Sequence, residues 1–360
     1  MSGSIGPTSL SYSLLNTLIG NSATVHHQLD TLTEQASSGL VAQTYAGLGA
    51  GAGIALNLNP QLATLQTYQA NISQATGRMQ MTQTAMTQIQ QIAATFVADM
   101  PKLNKITPTE IDSVAANART ALSQLANLLN TKQGNTYVFS GQDTANPPVP
   151  SPDQILQSPF FTQINTAVST LSTNGAAATT AQTLAIAGPS GTSPFSTYMS
   201  QSPPAIKAPV VQTGQGATMP IGLLASANSA AVSSGSTTGS YMRDLMRALA
   251  TVGSMSSSQA TDPNFTALVQ DTTTSLNGIV SSMATDVGVL GDNQATLTAI
   301  QTSLGDTATA LSGQVSAVQE VDMATTLSNL TATQTQLQAS YRLISAANSL
   351  SLVSFLPASA

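Results

Sequence analysis

The chain has 360 residues, more than one compact domain usually contains, so at least two structural units are expected. Charged residues make up only 7% of it and aromatic residues 4%, with no Trp, which argues against a large core built on aromatic side chains. A net charge of −6 with 9 Lys and Arg excludes a basic nucleic-acid interface, and the lack of Cys excludes disulfides and thiolate metal sites.

The sequence predicts neither a membrane-spanning helix nor a cleaved signal peptide. No run of about 18 apolar residues occurs in it. The N-terminus also lacks a basic segment followed by a continuous apolar stretch. We therefore expect no membrane insertion, and export, if it occurs, without a cleaved signal.

The N-terminal flank predicts two helices separated by a joint. Seam positions of the first follow a three-and-four spacing typical of a coiled coil: Leu15, Leu18, Ser22, Val25, Leu29, Leu32 and Ala36. Ser37–Gly39 interrupts this pattern, and the glycines of 47–53 predict a flexible joint. The spacing resumes from Leu58 to Met100, and a helix over 54–100 would be roughly 70 Å long.

A third helix and a region of weaker periodicity follow. Thr109–Asp112 is typical of a helix start after the prolines at 101 and 108. From Gly141 to about Asp262 the pattern fades into Pro-, Gly-, Ser- and Thr-rich sequence, with 208–211 and 219–221 as candidate edge strands. The charged run Arg243–Arg247 is predicted to be the solvated face of a short helix.

The C-terminal flank carries the most regular seam in the chain. Its members keep the three-and-four spacing: Leu276, Val280, Met283, Val287, Leu290, Gln294, Leu297, Gln301, Leu304, Ala308, Leu311, Val315 and Val318. The spacing slips at Val321–Met323, which predicts a second joint. It then restarts in a terminal helix with seam positions Met323, Leu327, Leu330, Gln334, Leu337, Tyr341 and Ile344.

These elements predict a mainly α fold: an elongated, antiparallel, coiled-coil-like helical rod made by the two flanks, with a small loop-rich α/β middle domain. Five segments are expected. They are an N-terminal assembly arm and joint (1–45), N-terminal rod helices (46–140), an outer domain (141–262), a C-terminal rod helix (263–320) and a C-terminal assembly arm (321–360).

The terminal helices, 10–36 and 323–356, are predicted to form a thin arm that becomes ordered when neighbouring subunits cover it, because a two-helix pair buries little apolar surface. The candidate assembly interface comprises Leu15, Leu18, Val25, Leu29, Leu32, Leu327, Leu330, Leu337, Tyr341, Ile344, Leu352 and Phe355.

No set of residues predicts catalysis, a metal site or a cofactor. His26 and His27 are the only histidines, too few for a zinc site or a Ser-His-Asp arrangement, and a surface or interface role is expected for them. The glycines of 47–53 are neither preceded by a predicted strand nor followed by Lys-Ser/Thr, so they do not predict phosphate binding. The chain is therefore expected not to be an enzyme.

Several motifs resemble the bacterial flagellin family. Leu29–Leu40 is similar to its LQEQLSSGL segment, Glu320–Ala324 to its joint before the last helix, and Asp286–Gln294 to its RAELGAxQN stretch. Thr136–Gly141 and the stretch from Leu337 to Leu352 resemble the junction-forming, hook-associated members. The uncharged Val41–Gly47 departs from the family pattern, which is charged there.

The resemblance covers about 10–140 and 241–356. It implies a structural subunit of the extracellular bacterial flagellum that polymerises through its paired terminal helices. Its partners would be copies of itself, other axial proteins (hook-associated proteins and flagellin) and an export chaperone. A bulk filament subunit is the alternative within the family, and an exported coiled-coil tip or translocator protein is the alternative outside it.

Overall fold

The computed structural model describes the backbone of residues 7–103, 107–189, 191–201, 205–228 and 237–353, and side chains from residue 16 to 346 within those ranges. The described α-helices are α1 Pro7–Ser38, α2 Ala52–Asp99, α3 Pro108–Leu129, α4 Pro159–Ser169, α5 Leu171–Asn174, α6 Ala176–Ala187, α7 Tyr241–Gly253, α8 Phe265–Gln319 and α9 Met323–Val353. The mainly α fold with long helices in both flanks is therefore confirmed.

The β-strands of the described residues form two hairpins. In the first, β1 (Lys132–Gln133) pairs antiparallel with β2 (Thr136–Tyr137). In the second, β3 (Val210–Gly214) pairs antiparallel with β4 (Ala217–Pro220), where the sequence predicted two edge strands.

Local sequence explains where α1 ends and where α3 begins. Gly39 follows α1 at φ +73°, a left-handed conformation that glycine adopts without steric cost, and its N–H donates to the carbonyl of Gln35 at 2.8 Å. At the start of α3, Glu110 accepts a hydrogen bond of 2.6 Å from the backbone N–H of Thr107. This bond satisfies a donor that the helix itself leaves unpaired. Both helix boundaries are thus set within a few residues.

By contacts between residues, the chain divides into two compact units. One comprises Met1–Gln66 with Asp306–Ala360, and the other comprises Thr67–Gly305. The larger hydrophobic core belongs to the second unit and draws residues from α2, α3, α4, α7 and α8. The middle region therefore shares one core with the helices that flank it in sequence.

The predicted seam of α8 is confirmed by burial. Each of its thirteen positions is buried or half-buried, from Leu276 and Met283 in the second unit to Val315 in the first. A strict three-and-four spacing keeps one side of the helix covered along its whole length.

The prediction of a solvated face for Arg243–Arg247 was wrong. Every residue of α7 is buried, including Arg243, Asp244 and Arg247. The helix packs against α3, α4 and α6, which leaves none of its faces to solvent.

The buried charges of α7 find partners inside the protein. The guanidinium of Arg243 donates to the carbonyls of Ser226 and Met199 at 3.3 and 3.1 Å, and it lies 5.0 Å from the ring of Phe195. The Asp244 carboxylate accepts from the backbone N–H of Thr238 at 3.0 Å. A buried polar side chain is tolerated when it is hydrogen-bonded. Here the hydrogen bonds of Arg243 and Asp244 connect α7 to residues of the neighbouring loops.

Among the helices that the structure describes, none has an 18-residue stretch apolar enough for a membrane span.

Candidate assembly interface

Helices α1 and α9 pack against each other within the unit formed by the two termini. They run antiparallel: Leu40 after α1 pairs with Glu320 before α9, and Ile19 in α1 lies with Ile344 of α9 around a shared groove. The two predicted terminal helices therefore form a pair.

The buried seam of this pair contains small polar residues as well as apolar ones. On α1, Ser22 and Val25 are buried. On α9, Thr326, Thr333 and Leu337 are buried. On α9, Thr and Ser side chains alternate with larger apolar ones along the seam.

This seam is shifted around α9 from the one that the apolar pattern predicts, and the two overlap in part. Leu330, Leu337 and Ile344 belong to both seams, but the structure completes the stripe with Thr326, Thr333 and Ser340. The sequence pattern instead placed larger residues one position later in each heptad. The seven-residue spacing of the two Thr and the Ser was the signal available in the sequence.

The larger residues form a second stripe that faces solvent, and we call Met323, Leu327 and Tyr341 the outer stripe. Their exposed fractions are 40%, 49% and 53%. Leu343 at 59% and Ile19 of α1 at 50% add further exposed apolar surface. Exposed apolar side chains clustered on one element typically mark an interaction surface.

The twelve predicted interface residues fall into five groups. Val25 and Leu337 are buried, and Leu327 and Tyr341 are exposed. The half-buried members are Leu18, Leu29, Leu32, Leu330 and Ile344. Leu15 and Leu352 lie in α1 and α9 with side chains outside the described set, and Phe355 lies outside the described residues.

The two predicted joints bind each other. The N–H of Val41 donates to the carbonyl of Gln319 at 2.8 Å, and the N–H of Val321 donates to the carbonyl of Gly39 at 3.0 Å. The side-chain amide of Gln35 adds a bond of 3.0 Å to the carbonyl of Val41. The connection from α1 and the connection into α9 are therefore a single hydrogen-bonded element.

Asp322 caps the N-terminus of α9. Its carboxylate accepts from the backbone N–H groups of Ala324 and Thr325 at 2.9 and 3.2 Å and from the Thr325 hydroxyl at 3.1 Å. The hydrogen bonds from Thr325, followed by the one from Ala324, lower the pKa of Asp322 below its ordinary value. The carboxylate is thus charged at neutral pH, as a helix N-terminus favours.

The histidines line a shallow groove of about 460 Å³ between α1 and α9. Both are exposed, and Nδ1 of His26 lies 3.0 Å from Oδ2 of Asp30 one turn later. Tyr341 of the outer stripe borders the same groove. Within the described residues no group of three side chains of His, Asp or Glu could hold a metal ion.

The second unit contains a cleft of about 570 Å³ between α6 and α8, with α7 beneath it. The charged groups there are matched: Nε of Arg247 lies 3.6 Å from Asp244, its Nη2 donates to the Ser275 hydroxyl at 2.6 Å, and Thr180 donates to Asp271 at 3.0 Å. Burial raises the pKa of Asp244 and lowers that of Arg247. We assign these contacts a structural role.

Two family models match the chain. The model described as the bacterial flagellin N-terminal helical region matches residues 11–144, and the model described as the bacterial flagellin C-terminal helical region matches residues 272–356. Together they include α2, α3 and α9, most of α1 and α8, and both joints. A search of curated proteins found no match.

A solved structure shares the fold. It is a protein from Vibrio parahaemolyticus described as a flagellar hook-associated protein, with a TM-score of 0.50 and 12% sequence identity. The match covers 73% of this chain and 95% of the other. The two family models span more than half of the 360 residues, including the arm and its joints. The chain belongs to the bacterial flagellin family.

Proposed function

We propose that this chain is the hook–filament junction subunit of the bacterial flagellum, hook-associated protein 3, and that it polymerises through the pair α1 and α9. Its family makes it a structural component of the flagellum.

The observation that carries the assembly proposal is the outer stripe. Met323, Leu327 and Tyr341 keep between 40% and 53% of their surface in solvent, although α1 covers the neighbouring stripe of their helix. An isolated subunit leaves this apolar surface in water, and a neighbouring subunit would cover it. The proposed interface thus consists of the outer stripe together with the half-buried Leu18, Leu29, Leu32, Leu330 and Ile344.

Two segments support the junction position over bulk filament. Thr136–Gly141 resembles the signature of junction-forming members, and so does the C-terminal stretch from Leu337 to Leu352. The first segment forms β2 and the turn after it, and Val138 and Phe139 are fully buried there. Flagellin, the bulk filament subunit, is the alternative function.

The rival class, an exported tip or translocator protein that inserts into membranes, is disfavoured by side-chain chemistry. Membrane-surface helices usually carry Lys and Arg on their polar face. The exposed positions of α1 and α9 carry mainly Thr, Ser, Asn and Gln, and Arg342 is the one basic residue described there. No catalytic role is proposed.

We also propose which proteins this chain contacts and which segments make those contacts. Partners would be copies of this chain, hook-associated proteins and flagellin, with a chaperone before export to the cell exterior. Segments 1–45 and 321–360 would be the assembly arms, 46–140 and 263–320 the rod, and 141–262 the outward-facing domain.

Deleting residues 323–360 tests the role of the arm. The unit Thr67–Gly305 has its own core, so the truncated chain should keep α3 and α7 folded while failing to enter flagella. Circular dichroism measures the fold and quantitative blotting of purified flagella measures incorporation. A truncated chain that incorporates as the full chain does would overturn the assembly proposal.

Immunogold labelling of intact flagella tests the junction position. Label confined to a short zone between hook and filament is expected. Label along the whole filament would replace the proposal with the flagellin alternative.

A further inference from the structure

Arg78 on α2 is buried, with 6% of its surface exposed. Its Nη2 donates to the carbonyls of Tyr137 and Val138 at 2.8 and 2.9 Å. In the described part of the chain, its buried Nε has no hydrogen-bond partner. Part of the donor capacity of this guanidinium is therefore unused.

No carboxylate within the described residues forms an ion pair with Arg78. This sets it apart from the other two buried arginines of the same unit, Arg243 and Arg247, which both interact electrostatically with Asp244. Burial alone lowers the pKa of Arg78, with no compensating negative charge. A buried charge without a counter-charge is costly, so it indicates a missing anionic partner.

Arg78 borders a pocket of about 290 Å³ on the side of β3. Four of the residues that line it have amide side chains, namely Asn71, Gln74, Gln133 and Gln212. The other lining residues are Thr136, Ala75, Val210, Val211 and Ile221, so neither Asp nor Glu lines the pocket. The site offers one positive charge and several neutral hydrogen-bond donors.

We propose that the Arg78 pocket binds a carboxylate. One guanidinium matches one negative charge, and an Arg N–H donating to a carboxylate is among the stronger hydrogen bonds in proteins. The carboxylate belongs either to a free small acid or to an Asp or Glu side chain of another subunit. Each copy of this chain has 15 Asp and Glu residues. Binding of a free acid does not depend on the proposed function.

The first measurement titrates the ¹⁵N-labelled full chain with sodium acetate against sodium chloride at equal ionic strength. Saturable shifts of the Gln212 and Gln133 side-chain amide signals with acetate only are expected. Arg78→Gln should abolish them, with circular dichroism checking that the variant is folded. If acetate gives no saturable shift, the proposal is wrong.

A second variant keeps Arg78 and its two carbonyl contacts in place. Gln212→Glu puts a carboxylate into the pocket and should weaken acetate binding at least tenfold. Gln215→Glu is the matched control, because it adds the same charge at the exposed turn of the same hairpin, outside the pocket. Equal acetate affinity in the two variants would overturn the proposal.

Incorporation of these two variants into flagella distinguishes the sources of the carboxylate. An acidic side chain of another subunit predicts that Gln212→Glu incorporates less than Gln215→Glu. Equal incorporation assigns the site to a free carboxylate. If neither variant nor the unmodified chain incorporates, the proposed function fails while the acetate result still decides the binding proposal.

Discussion

Leu40 and Glu320 face each other in an isolated antiparallel β-bridge, although they are far apart in the sequence. Hydrogen bonds from Val41 to Gln319 and from Val321 to Gly39 flank this bridge. The chain therefore leaves α1 and enters α9 through one paired element. Because the joints are bonded to each other, a change in one should be felt at the other.

Substituting Gly39 tests the backbone conformation of this paired element. Gly39→Ala puts a side chain at φ +73° in otherwise open space, so the left-handed backbone alone should cost about 1 kcal/mol in the free energy of unfolding of the α1–α9 pair. Gly20→Ala is the control: its position is equally open but lies within α1, and it should stabilise by about 0.5–1 kcal/mol. Thermal unfolding followed by circular dichroism measures both, and equal effects would contradict the expectation.

Asp322 should make α9 sensitive to acid. Its pKa in the folded chain is lowered, so its stabilisation is complete above the ordinary Asp pKa of about 3.9 and is lost as pH falls through the lower folded value. The Cα chemical shifts of Ala324 and Thr325 should move away from helical values over that acid range. Asp322→Asn, which caps the helix without titrating, should remove this change in chemical shift. The same acid response in that variant would show that Asp322 is not its cause.

Arg243 should be a large contributor to stability of the second unit. Arg243→Leu leaves the buried carbonyls of Met199 and Ser226 without this donor, at an expected cost of about 3 kcal/mol or more. Lys102→Ala is the control, since it breaks an exposed pair with Asp99 and should cost less than about 1 kcal/mol. Denaturant unfolding compares them, and a similar midpoint for both variants would be the contrary result.

Substitutions in the buried seam and in the outer stripe of α9 should have different effects, the first on pairing with α1 and the second on assembly. Leu337→Ser removes a buried seam residue and should lower the helicity of the isolated chain, because α1 and α9 then lose contact. Leu327→Ser, in the outer stripe, should leave helicity unchanged and reduce incorporation into flagella. Circular dichroism and blotting of purified flagella give the two readouts. Normal incorporation of Leu327→Ser would place the contact with neighbours elsewhere.

The sequence predicted the helices and joints well because their signals are local. Gly39 and the slip at Val321–Met323 mark the ends of α1 and α8, and each depends on a few adjacent residues. The α8 seam was also predictable, since an unbroken three-and-four spacing fits one side of the helix only.

The sequence alone could not choose the buried side of α9 or reveal the burial of α7. Leu330, Leu337 and Ile344 fit two neighbouring stripes, and only packing against α1 buries the Thr-containing one. Likewise, Arg243 and Arg247 are typical surface residues until α3, α4 and α6 surround them and distant groups accept their hydrogen bonds. Periodicity is a property of one helix, whereas burial depends on which other elements lie against that helix. Only the tertiary structure decides which elements these are.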